Sequence, residues 1–455
     1  MVKRSGIEER VLTRIRPTRN ERDQICGVAR RLLEAISASG QAEGMLVGSI
    51  ARNTWIHGEH DIDVFLLFDP SLSREALEER GKALARRIAA QFTDRFFEKY
   101  AEHPYIYASI DDIDIDLVPC YAVESATKIQ SAVDRTPFHT RYITGKINGL
   151  IDDVLLFKQF AKTGGIYGSD QMTEGFSGYL CEILVLNYGG FIPLLEAVAL
   201  WKPGTVIDLE HHSAKTFEEP LVVIDPVDPK RNVAASVSLD RMVEFIELAR
   251  GYLETPSEEF FLVQEPPPIT YDDLDETLKR RGTSLLAITF TTPPYIEEIV
   301  VPQLKRSVIA IRKHLERSGF VVHHADYRME REQCMLLFEF LISRLPRIRR
   351  HMGPPLWNRI HAEKFREKHR ASAFPGPYIE NGRYEMEIPR EFTDAKSLLT
   401  SPSLLTVSLG KHVRQALENG WRVEEDADCW QECFAPFFAV FFERCSPLTR
   451  ILRRK

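Results

Sequence analysis

The sequence predicts an α+β chain of several domains. Three observations carry this. At roughly 150 residues per domain, 455 residues suggest about three domains. The first part mixes short apolar strands with amphipathic helices, whereas the stretch from Leu150 to about Leu253 is mostly helical. Beyond Pro266-Pro267-Pro268, which marks a linker near residue 262, a β-α-β-like passage begins. The divisions expected are 1–150, 151–262 and 263–455.

The elements follow in order. A helix is predicted from about Arg22 to Ala38, with Ile25, Val28, Leu32, Leu33 and Ile36 on one side. Met45-Leu46-Val47 reads as a strand that stops at Gly48-Ser49, and Ile50 to Trp55 as a helix start. Asp61 to Phe68 reads as a strand, Ser73 to Phe97 as a long helix, and Ile110 to Val118 as an alternating strand ending at Pro119. Helices are expected at Asp153–Lys162, Gly178–Tyr188 and Leu239–Tyr252. After the linker come a strand at Leu285–Phe290, a helix at Pro302–Arg317, and strands at Phe320–His323 and Met335–Ile342. That order fits a ferredoxin-like or RNA-recognition-type split βαβ at about 282–343.

Several classes fall away. The chain carries 59 Lys and Arg against 66 Asp and Glu, a net charge of −7, which argues against a uniformly basic coat protein. Its longest apolar runs, such as Phe434 to Phe442, fall far short of the ~20 residues that span a bilayer. Seven cysteines without a CxxC pair support neither a disulfide framework nor a zinc ribbon, so a reducing, cytoplasmic setting is the expectation. Cys429 and Cys433 are spaced for one face of a C-terminal helix.

The chemistry concentrates in the first part. Gly48-Ser49 sits between a strand and a helix, where backbone N–H groups favour phosphate. Asp61 and Asp63 are two apart on a strand and point to one face. In Asp112-Ile113-Asp114-Ile115-Asp116, acids alternate with aliphatics. If that strand lies beside the Asp61 strand, three carboxylates converge. Hard oxygen ligands of that kind suit Mg²⁺, and two such ions serve an in-line displacement at phosphorus.

Gly-Ser, then Asp-x-Asp, then a distant Asp resembles the nucleotidyltransferase superfamily headed by DNA polymerase β. The wording narrows it: Gly48-Ser49-Ile50-Ala51-Arg52-Asn53-Thr54-Trp55, Asp61-Ile62-Asp63-Val64-Phe65, Val118-Pro119-Cys120-Tyr121, Asp134-Arg135-Thr136-Pro137-Phe138-His139, Gly165-Ile166-Tyr167-Gly168, Gly178-Tyr179-Leu180-Cys181-Glu182 and Lys230-Arg231-Asn232-Val233 look like the archaeal-type (class I) CCA-adding enzymes. The resemblance covers nearly the whole chain. It implies a polymerase β-like head, a helical neck and a C-terminal tRNA-binding region.

The resemblance further implies template-independent addition of the 3′-terminal CCA to tRNA from CTP and ATP. Asp61, Asp63 and Asp116 become the metal-binding carboxylates, Asp116 being chosen over Asp112 and Asp114 as the nearest to Val-Pro-Cys-Tyr. Gly48, Ser49, Arg52, His139, Lys158 and Tyr167 match nucleotide-binding positions, and Glu102 and His103 are near-site candidates. Arg231 becomes the reader of the base: cytosine and adenine both offer an acceptor nitrogen beside an exocyclic amine, where guanine and uracil present N–H. A homodimer is implied too.

The window Arg344 to Arg370 holds nine Lys and Arg against Glu363 and Glu367, or +7. Arg344, Arg347, Arg349, Arg350, Lys364, Arg366, Lys368 and Arg370 are the candidates for RNA phosphates. The tail Arg450 to Lys455 is a second basic cluster. The rival readings are a poly(A) polymerase or terminal uridylyltransferase on the same head, and a catalytically inactive RNA-binding or nucleotide-sensing protein.

Overall fold

The computed structural model describes residues 6–100, 104–263, 266–372 and 374–453, with Tyr100 described by its backbone alone. Glu102 and His103 lie outside the described residues, as do Arg454 and Lys455 of the basic tail. The chain forms two compact units, Met1–Gln264 with Cys445–Lys455, and Glu265–Arg444.

The first unit opens with helices α1 (Gly6–Ile15) and α2 (Arg19–Ser39). Thr18 and Glu21 close a capping box at the start of α2, and Gly40, at φ +62°, ends it. Strand β1 (Glu43–Val47), the short helix α3 (Gly48–Arg52), β2 (Asp61–Phe68), α4 (Arg74–Ala89), β3 (Phe96–Tyr100), β4 (Pro104–Ile110) and β5 (Ile113–Tyr121) follow. The sheet order is β1-β2-β5-β4-β3. β2 and β5 are parallel, with Asp61 opposite Asp114 and Asp63 opposite Asp116. Ile62, Val64, Leu66, Ile113, Ile115 and Leu117 face one core, with Leu32 and Ile36 of α2 and Leu84 and Ile88 of α4.

Two sequence expectations are corrected here. The helix predicted over Ser73–Phe97 stops at Ala89, and Phe96 begins an edge strand whose partner, β4, is supplied by a stretch the periodicity left unassigned. The strand predicted from Ile110 starts at Ile113. Asp111 and Asp112 form a turn with φ of 53° and 58°, which Asp tolerates better than most residues. Asp112 is therefore not on the acidic strand face.

The rest of this unit contains α5 (Thr136–Lys146), α6 (Ile151–Thr163), α7 (Gly178–Tyr188), α8 (Phe191–Val198), β6 (Thr205–Ile207), β7 (Leu221–Asp225), β8 (Asp228–Asn232) and α9 (Leu239–Glu254). The three strands form a small sheet, β6-β7-β8, within a region expected to be mostly helical. Phe157, Phe160, Phe176, Phe191 and Phe245 pack at its centre. A short helix, Pro447–Leu452, belongs to this unit, with Leu448 against Gly251 of α9.

The second unit holds α10 (Tyr271–Arg281), β9 (Ser284–Thr291), α11 (Glu297–Arg317), β10 (Val321–Met329), β11 (Gln333–Ile342), β12 (Ile348–Pro355), α12 (Arg359–Lys368), β13 (Tyr378–Glu380), β14 (Arg383–Pro389), α13 (Ala395–Thr400), α14 (Lys411–Glu418), β15 (Arg422–Glu425) and α15 (Ala435–Glu443). An antiparallel sheet runs β10-β11-β9-β15. With α11 and α14 it has the β-α-β-β-α-β connection of a split βαβ. Its last strand comes from Arg422–Glu425, well beyond residue 343.

One further expectation does not survive. Cys429 ends one 3₁₀ turn and is buried, whereas Cys433 lies in another and is exposed, so they share no helix face. Phe434, Phe437, Phe438 and Phe441 are core, packed with Leu274, Leu285 and Leu337. Among the described residues no single helix is long and apolar enough to cross a membrane.

Candidate active site

Three neighbouring groups in the first unit hold the carboxylate and nucleotide-binding candidates. The first is acidic. On β2 and β5, residues alternate between the core and the opposite face, and Asp61, Asp63, Asp114 and Asp116 occupy the latter. Burial, then the Asp116 and Asp61 charges, push the Asp63 carboxyl up to about 6 against the pull of Arg52. Burial raises Asp116 as well, and burial followed by Asp114 raises Asp61. Asp116 Oδ1 is buried without a hydrogen-bond partner. Among the described residues no three His, Cys, Asp or Glu side chains are drawn together in ligating position.

Crowded carboxylates with raised pKa and a buried, unpartnered oxygen form a hard-oxygen donor set that a divalent cation satisfies. Gly48 makes room for the Asp63 carboxylate. Its φ is +73°, and a Cβ there would lie 2.1 Å from Asp63 Oδ2. Val47, just before it, pairs with Asp63. Ser49 follows in the first turn of α3.

The second group is cationic and buried. Arg52 Nε lies 2.9 and 3.0 Å from the two oxygens of Glu182, and its NH1 donates to Thr140 Oγ1 at 3.2 Å. Thr54 Oγ1 donates to the same carboxylate. Lys158, 2% exposed, donates to the Thr54 carbonyl at 2.6 Å and lies 3.9 Å from Glu182. Burial lowers the Lys158 ammonium against the pull of Glu182. Two cations thus share one carboxylate, and the Arg52 charge also reaches Asp63. Tyr167 joins them near the start of α7, where a Cβ on Gly178 would lie 3.1 Å from its hydroxyl and 3.5 Å from Lys158 Nζ.

The third group centres on Asp225, at the end of β7 and fully buried. His139 Nε2 lies 2.9 Å from Asp225 Oδ2, Arg231 NH1 donates to the same oxygen at 2.7 Å, and Tyr179 donates to Oδ1 at 3.2 Å. The His139 and Tyr179 rings stack at 4.0 Å. Burial alone would raise Asp225, but the bonds from His139 and Arg231 hold it at about 2. Burial lowers His139 despite Asp225. A cavity of about 1000 Å³ opens here, lined by Thr127, His139, Tyr179, Lys230 and Arg231 among others. None of Asp61, Asp63, Asp114 and Asp116 lines it.

Sequence reading missed Glu182 and Asp225 as site residues. Both had a signal: each is a lone acid in an apolar segment, Leu180-Cys181-Glu182-Ile183-Leu184 and Leu221-Val222-Val223-Ile224-Asp225.

The basic candidates are in the second unit. Arg350 is tied to Glu385 and Glu380, Arg344 to Glu425 at 3.6 Å and Arg370 to Glu367 at 3.8 Å. Arg347, Arg349, Lys364, Arg366 and Lys368 make no ion pair among the described residues.

The nucleotidyltransferase domain profile matches residues 29–139, the second domain of tRNA nucleotidyltransferases 152–262, and the C-terminal domain of CCA-adding enzymes 281–426. The CCA-adding enzyme of Methanoregula boonei is 66% identical over 99% of this chain and 98% of its own. The chain belongs to the CCA-adding enzyme family. Those of Methanosarcina barkeri and Haloarcula marismortui are each 41% identical, over 92% and 91% of this chain and 93% and 92% of their own. The chain is accordingly a tRNA nucleotidyltransferase with nucleoside triphosphate substrates, and the family works with a divalent metal.

Proposed function

We propose that CCA addition to tRNA is carried in this chain by Asp61, Asp63 and Asp116, as ligands of Mg²⁺, two ions being used. The observation that supports this most directly is the pairing of Asp63 with Asp116 across parallel strands, with Gly48 packed against the Asp63 carboxylate. Mg²⁺ held there would lower the pKa of the attacking tRNA hydroxyl and neutralise the triphosphate. The short arm of Asp61 still supplies a hard oxygen.

The chain's own groups do the rest. Ser49 and the α3 backbone offer donors to the phosphates. Arg52, Lys158 and Tyr167 supply positive charge and a hydroxyl, with Glu182 holding both cations in place. Arg231, gripped by Asp225, presents donors to the ring nitrogen shared in kind by cytosine and adenine, while His139 and Tyr179 wall the same cavity. Arg347, Arg349, Lys364, Arg366 and Lys368 meet RNA phosphates, with Arg344, Arg350 and Arg370 as their paired neighbours. The active form is a homodimer in the cytoplasm.

The test is transfer of labelled CMP, then AMP, onto tRNA lacking its CCA end. Asp63→Ala should abolish transfer while leaving tRNA binding intact, and turnover by that variant would remove the carboxylate assignment. Extension by ATP or UTP alone would favour a poly(A) polymerase or uridylyltransferase instead.

A further inference from the structure

The carboxylate face of the sheet does not end at Asp116. In β4, Tyr107 pairs directly with Asp116, so both side chains leave the sheet on the same side. In β3, Phe97 pairs with Tyr107. The two rings lie 4.8 Å apart at 40°, and Phe97 is 54% exposed, unusual for a phenylalanine on a sheet with a well-filled core. Lys99 Nζ stands 4.2 Å from the Tyr107 ring centroid and 5.8 Å from that of Phe97. The Tyr107 hydroxyl is committed to Asp114. An aromatic ledge with one cation thus continues the acidic face toward the sheet's edge.

The strand order gives this ledge its place. With the order β1-β2-β5-β4-β3, Gly48 and Ser49 adjoin the β1 side of the carboxylates, and the ledge lies on the β4–β3 side. An in-line displacement brings the attacking hydroxyl from the side opposite the leaving group. With triphosphate on the Ser49 side, the hydroxyl arrives from the ledge.

We propose that Phe97 and Tyr107 stack the 3′-terminal base of the RNA being extended, with Lys99 on its phosphate; this rests on the reading of Asp61, Asp63 and Asp116 as the reaction centre. The ledge suits a base that changes identity between steps. Phe97 has no polar atom, and the hydroxyl of Tyr107 is occupied by Asp114. The surface therefore holds a base by its face, and stacking accepts any base.

The experiment uses the full chain, CTP, and two acceptor-stem minihelices, one intact and one abasic at its 3′-terminal nucleotide. Wild type should show a KM on the order of tenfold higher for the abasic minihelix. Phe97→Ala should raise the KM for the intact minihelix to the same degree and erase the difference, with the KM for CTP unchanged. Phe97→Trp should restore discrimination, which a misfolded variant would not. A wild-type KM in Phe97→Ala, an equal loss on both minihelices, or a change in the KM for CTP instead would overturn the ledge. Failure of wild type to extend the intact minihelix would overturn the underlying function, a separate outcome.

Discussion

Gly48 and Asp63 share space that a side chain at residue 48 would fill: the Cβ of an alanine there would lie 2.1 Å from Asp63 Oδ2, and the backbone φ is +73°. Either Asp63 or the β1–α3 turn must move. Gly48→Ala should therefore lower CMP incorporation by about 100-fold or more, because an ångström of misplacement at a reacting centre is felt on that scale. The fold should survive, with at most about 1–2 kcal/mol lost. Single-turnover transfer beside a denaturant titration checks both halves.

The raised pKa of Asp63 has a stability consequence. Held at about 6 when folded, against ~3.9 unfolded, its carboxyl binds a proton more tightly in the native state. Its contribution to stability is thus fullest below about pH 4 and is lost as pH rises through about 6. In metal-free protein at pH 7.5, Asp63→Asn should be more stable than wild type by up to about 3 kcal/mol, and the gap should narrow as pH falls below about 6 and close only below about pH 4. Saturating Mg²⁺ should raise the wild-type Tm and leave that of Asp63→Asn nearly unmoved.

Glu182 is fully buried beside Arg52 and Lys158. Glu182→Ala would leave two buried cations without a counter-charge and should cost about 3–5 kcal/mol. Glu182→Gln, which keeps an acceptor, should cost less. Urea midpoints of the two variants decide the order.

Asp225 orients Arg231 through a 2.7 Å bond. Asp225→Asn should loosen that arginine and raise the KM for CTP and ATP together by about tenfold, with misincorporation from UTP increasing. Equal steady-state constants for wild type and variant would contradict the assignment of Arg231 to base recognition.

For the basic region, Lys364, Arg366 and Lys368 changed together to Gln should weaken tRNA binding uniformly across tRNA sequences. The slope of log K against log salt should become shallower by about 0.7–0.9 for every RNA phosphate that is no longer neutralised. Filter binding across a salt series measures it.

What was legible in the sequence was local. The Asp61–Phe68 strand appears with its predicted limits: Asp61 and Asp63 alternate with Ile62 at its start, and the short run Val64–Phe68, rich in β-branched and aromatic residues, ends at Asp69. The Gly48-Ser49 junction and the α7 limits were equally plain. What was not legible depends on partners distant in sequence. Phe96–Tyr100 continues a helical pattern and becomes a strand only because β4 is there to pair with it. Asp112 falls off the acidic face because of a turn, which alternation does not reveal. Arg52 could be suspected from its motif, but its carboxylate partner lies 130 residues away. The Phe434–Phe442 run, too short for a membrane span, owes its place in the core to packing against β9 and β11.

The return of Pro447–Leu452 to the first unit constrains how the protein is made. A ribosome releases the Met1–Gln264 region long before this helix exists, and the whole second unit is synthesised in between. Until then the surface around Gly251 lacks Leu448, which in the finished chain fills the space a Cβ there would need. The half of the molecule that carries the carboxylates is thus completed late in translation. A chain stopped after the second unit would leave Tyr252 and its neighbours on α9 without Ile451 in their core, a lesion that a protease can recognise.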